Sequence, residues 1–110
     1  MEEYIKKSLD EWKEEISELL FEIDKEYEQV MKDLKVYSYK YNITKQVVQS
    51  TVNEEIIGKI RELYHQPFEE QYHELKKTVV ELEEKRKVFQ MFVDKIDKVK
   101  EKEEVRTEVQ

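Results

Sequence analysis

Two short runs carry the residue types most suited to chemistry. Glu62-Leu-Tyr-His65 and Glu70-Gln-Tyr-His73 stand on either side of Pro67 and contain both histidines of the chain. A carboxylate three residues before an imidazole shares a helix face with it, the spacing by which one helix offers oxygen and nitrogen ligands to a metal ion. Glu62, His65, Glu70 and His73 are therefore the candidate metal ligands. The competing reading is a pair of solvated Glu–His contacts beside a helix junction. The periodicity puts Glu70 and His73 on the outer side of their helix, and acidic residues make up 27 of 110 positions. No Gly-rich phosphate loop, nucleophile elbow or supported Ser/His/Asp set is present, so no catalytic residue or cofactor is assigned and no enzymatic activity is expected.

The elements that must position these residues are helical. From Ile5 the apolar positions run Ile5, Leu9, Trp12, Ile16, Leu19, Ile23, Tyr27, Val30, Leu34, Tyr37, Tyr41. Their alternating steps of four and three make a heptad seam with Trp12 inside it. A consecutive four-four at Ile23 reads as a stutter. A second seam runs Phe68, Tyr72, Leu75, Val79, Leu82, Arg86, Phe89, Val93, Ile96. Pro67 suits the first turn of that helix, where its missing N–H costs nothing and Glu69 and Glu70 face the positive end of the dipole. Arg86 takes an a position normally apolar, either as a register device paired with a carboxylate or with its stem covering the seam and its head in water.

Between the seams, "KVYSYKYNITKQ" alternates tyrosines like a strand, and Val48, Val52, Ile56, Ile60 and Leu63 form a helical stripe. Thr51-Val-Asn-Glu54 has the form of a capping box. A short helix is expected to start near 44 or 51 and to end at 65, with residues 36–50 as helix or turn in preference to a hairpin, since no Gly stands beside Asn42. The expected domain is single, spanning 1–110: a helix over about 2–41, the short helix, a helix over about 67–104 and a frayed end at 105–110. Tyr37, Tyr39 and Tyr41 with Lys40 and Lys45 form a candidate interaction patch, to which Arg86 is added. Stacking on single-stranded nucleic acid is the weaker use of such a patch, because the whole chain carries a net charge of −7.

The composition agrees with long amphipathic helices: 43% charged, one Gly, one Pro and no Cys. Absence of cysteine removes disulfides and thiolate metal sites. No basic leader followed by an apolar run opens the chain, and no stretch suits a bilayer, so a cytoplasmic protein without membrane contact is expected. Seventeen lysines against three arginines and no alanine fit an AT-rich source: a low-GC bacterium, its phage or another mobile element, or an archaeal element. Residues 1–31 carry a net −7 and residues 76–100 a net +3. The first half of helix 1 is therefore expected along the second half of the last helix, in an antiparallel arrangement.

The fold class expected is all-α, an elongated antiparallel coiled coil or helical bundle of two long helices with a short helix between them. One seam per helix leaves Leu20, Phe21, Met31, Val80, Val88 and Phe92 beside it, so a homo-oligomer is expected. The function expected is protein–protein interaction, as adaptor, assembly factor or protein inhibitor. The order of coil, "KVYSYKYNI" and coil resembles prefoldin subunits of the β type, and that resemblance implies a holdase chaperone with a hairpin between its helices. The Glu-x-x-His doublet is similar to the ligand motif of ferritin-like di-iron bundles, and that likeness implies a metal-binding helical bundle.

Overall fold

The computed structural model describes residues 1–109, with side chains for 1–103. Of the expected frayed end at 105–110, the backbone of 105–109 continues α3 and residue 110 lies outside the described residues. The fold is all-α, two long helices with a short one between them: α1 (Glu3–Gln49), α2 (Glu54–Ile60), a π-helical turn (Arg61–His65) and α3 (Gln66–Val109). No strand occurs among the described residues, and no helix there is long and apolar enough to cross a membrane. The chain divides into two compact units. The first comprises Met1–Glu26 and Leu82–Gln110, the second Tyr27–Glu81.

In the first unit Ile16, Leu20 and Ile96 form a buried cluster, with Leu9, Phe89 and Val93 packed against it. The helices run antiparallel, because Asp10 pairs with Lys100, Lys13 with Asp97 and Asp24 with Arg86, so that residue n of α1 faces residue 110 − n of α3. The expected pairing of the acidic start of α1 with the basic part of α3 is thereby realised. The seam of α1 differs from expectation. Leu20 is 9% exposed and Leu19 48%, and Trp12 is 44% exposed while Lys13 is half-buried. A buried or half-buried seam therefore runs Leu9, Lys13, Ile16, Leu20, Ile23, Tyr27, Val30, Leu34, Tyr37, Tyr41, Thr44, Val48, with Asp10, Asp33 and Ser38 half-buried beside it. This is an unbroken four-three alternation, and there is no stutter. Hydrophobicity alone favours the apolar Trp12 and Leu19, whereas the helix keeps one phase and tolerates a lysine in the seam.

In the second unit α1 continues to Gln49, well past position 41, so residues 36–49 are helix and the hairpin on which the prefoldin likeness rested is absent. Thr51 does not cap the next helix. Its hydroxyl donates to the Val47 carbonyl at 2.6 Å, and Asn53 is the N-cap, its Oδ1 accepting from the N–H groups of Glu55 and Ile56 at 3.0 and 3.2 Å. Pro67 lies in the first turn of α3 as expected, but that turn is not a free helix end, since α2 passes through the π turn into α3. Proline has no N–H to give the carbonyl four residues back, and its ring crowds that carbonyl. The wider turn, in which the Gln66 N–H reaches Arg61 O, accommodates it.

The π turn also shifts the helical phase by one residue. Ile57, Ile60, His65, Phe68 and Tyr72 are half-buried, while Ile56, Leu63 and Tyr64 are exposed and Val52 is 94% exposed. The anticipated stripe of Val52, Ile56 and Leu63 therefore faces outward.

The unbroken seam makes a direct prediction for unfolding measurements. Leu20→Ala should destabilise by about 2–4 kcal/mol, as for a buried leucine, and Phe21→Ala, one residue further round, by less than about 0.5 kcal/mol. Near-equal small losses would restore the stuttered seam.

Candidate functional site

The tyrosine patch of the second unit is mostly an internal stack. Tyr41 lies between the Tyr72 ring (centroids 5.5 Å, planes 7° apart) and the His65 ring (5.1 Å, 21°). Tyr37 meets Phe68 edge-on at 6.1 Å. Lys40 Nζ lies over Tyr37 and Phe68, and Lys76 Nζ is 4.5 Å from the Tyr72 centroid. Tyr39 is 63% exposed and Lys45 is also exposed. Of the candidate patch, Tyr37 and Tyr41 therefore brace α1 against α3, and only Tyr39 and Lys45 face outward without a packing role.

Thr44 fixes the histidine. It is buried, donates its only hydroxyl proton to the Tyr41 carbonyl at 2.8 Å, and sits 3.0 Å from His65 Nδ1. Thr44 Oγ1 and His65 Nδ1 thus share a hydrogen bond whose direction follows the imidazole tautomer. His65 Nε2 turns toward one Glu69 oxygen and His73 Nε2 toward the other, each at 3.8 Å. The carboxylate between the imidazoles is thus Glu69. Glu62 and Glu70 belong to neither contact, and no three His, Cys, Asp or Glu among the described residues are grouped to hold a metal ion.

The first unit holds Arg86. Its Nε donates to Asp24 Oδ1 at 2.7 Å, with both side chains about half exposed. The two expected readings merge: the stem lies at the seam and the head reaches a carboxylate at its edge. Asp24 raises the guanidinium further above its already high pKa, mainly through this hydrogen bond. Lys13 repeats the pattern with Asp97 at 2.6 Å, and Lys100 with Asp10. All three cations occupy a positions and all three aspartates occupy e positions, so the ion pairs line one edge of the two-helix layer.

The opposite edge is apolar. Ile5, Trp12 and Leu19 of α1 and Phe92 and Val99 of α3 occupy g positions, which adjoin in an antiparallel pair. Trp12 and Phe92 touch, with ring centroids 5.7 Å apart. Each of the five is 40–49% exposed, and Val88 extends the edge at 45%. The expected exposure of Val88 and Phe92 is found. Hydrophobic spacing places Ile5, Trp12 and Leu19 in the seam, whereas the structure leaves them at the surface. Their seven-residue spacing is visible in the sequence once Lys13 is admitted to the seam.

Comparison with protein-family models, curated proteins and solved structures finds no match.

Two consequences can be measured. Tyr41→Ala should cost about 2–3 kcal/mol, somewhat below a fully buried aromatic, and Tyr39→Ala less than about 0.5 kcal/mol; equal losses would mean that the stack does not form. The second concerns acid. Lys100, chiefly by its hydrogen bond, holds the Asp10 carboxyl below its ordinary 3.8. A depressed pKa contributes stability above the unfolded value that is lost as pH falls through the folded one. In acid titrations of thermal stability, Asp10→Asn should flatten the decline below about pH 4. An unchanged decline would mean that the pair adds nothing.

Proposed function

We propose that this chain is a protein–protein interaction module, an adaptor, assembly factor or inhibitor, that binds helices of another polypeptide along the apolar edge of its first unit. The observation carrying this reading is the contrast between the two edges of that unit. One is lined by three aspartate–cation pairs, the other by Ile5, Trp12, Leu19, Phe92 and Val99, all about half exposed. Isolated exposed apolar residues need no explanation, but a contiguous strip rimmed by charge marks a contact surface. Tryptophan and phenylalanine at its centre are residue types that contribute most when a partner excludes water from them. An amphipathic helix laid along the strip would extend the knobs-into-holes packing of the seam.

The test uses position-specific photo-crosslinking in extract of the source cells. A photoreactive phenylalanine replacing Leu19 or Val99 should give discrete protein adducts, and one replacing Lys87 on the far side of α3 should not. Absence of adducts at Leu19 and Val99, or equal labelling at Lys87, would overturn the reading.

A further inference from the structure

The partner class can be narrowed by charge. Resting on the interaction reading above, we infer that the apolar edge is occupied by a second copy of this chain, docked about a two-fold axis parallel to the helices, so that each α1 lies over the partner's α3.

The edge is flanked asymmetrically. Residues 8–26 carry eight carboxylates against Lys13 and Lys25, whereas residues 85–102 carry seven cations against Asp94, Asp97 and Glu101. On α1 the exposed positions bordering Trp12 and Leu19 are Glu11, Glu15, Glu18 and Glu22; on α3 those bordering Phe92 and Val99 include Lys95, Lys98 and Lys102. One side of the strip is therefore negative and the other positive. Such a surface is complementary to itself when turned over, which is the requirement of an isologous contact.

Two ways of facing a second copy are distinguished by this pattern. A two-fold axis across the helices would lay α1 on α1, bringing the glutamates of both copies together around Leu19 and Trp12. An axis along the helices lays α1 on the partner's α3 at matching height. The register of the ion pairs places Glu15 level with Lys95. Both occupy c positions, so Glu15 would meet Lys95 of the partner subunit at the rim, while Trp12 and Leu19 cover its Phe92 and Val99. Like charges facing each other suppress the first arrangement and opposite charges select the second. Every helix of the first unit would then have antiparallel neighbours on two sides, the arrangement of a four-helix bundle.

The experiment is sedimentation equilibrium of the purified chain, with the emission of Trp12, the only tryptophan, recorded over the same concentrations. Dimerisation at micromolar concentration and a shift of emission to shorter wavelength are expected together. Glu15→Lys and Lys95→Glu should each weaken the dimer about tenfold, and the double variant should regain wild-type affinity. Both positions are exposed, and circular dichroism checks that helix content is retained. A monomer at all concentrations overturns the inference. If Leu19 still yields adducts in extract, the partner is a different protein and the interaction reading survives; if it yields none, both fail. A dimer indifferent to the charge reversals, or tightened by Glu15→Lys, overturns the α1-on-α3 arrangement.

Discussion

Lys13, Arg86 and Lys100 occupy seam positions, and a charged head cannot remain between two packed helices without a partner. Each is drawn to the same edge by an aspartate of the facing helix. The exposed pairs themselves add little stability. Their effect is positional: three such pairs obey one register, and a slip of either helix would break all of them and misalign Ile16, Leu20 and Ile96. Because the polar groups gather on one edge, the apolar residues beside the seam gather on the other. The seam and the candidate docking strip thus follow from the same arrangement.

The second unit is governed by a different constraint. Pro67 cannot take part in a regular helical ladder, and the π turn before it inserts one residue into the phase of the helix. That extra residue brings His65 inward where regular spacing would bring Tyr64. His65 then stacks on Tyr41 and shares a hydrogen bond with Thr44. A histidine whose Nδ1 is committed to a buried threonine and whose ring is stacked acts as a packing element. The aromatic run 37–41, which alternates in sequence like a strand, is accommodated by a helix because only Tyr37 and Tyr41, four residues apart, need to face α3.

Much of this was legible in the residue pattern. Heptad spacing, scarcity of Gly and Pro and the opposed charges of residues 1–31 and 76–100 determined an all-α chain with the start of α1 antiparallel to the end of α3. Helix periodicity and long-range charge survive any local uncertainty, since both are summed over many residues. What only the tertiary structure decided was phase. Whether Trp12 and Leu19 or Lys13 and Leu20 enter the seam depends on which set the facing helix can accept at one register, and aspartates at the edge make the lysine acceptable. Likewise Pro67 is compatible with a free helix start or with a continuous helix widened into a π turn, and the second is what sets His65 against Tyr41 and Thr44 of α1. A single helix cannot reveal such choices, because the energy that settles them lies in the neighbour it packs upon.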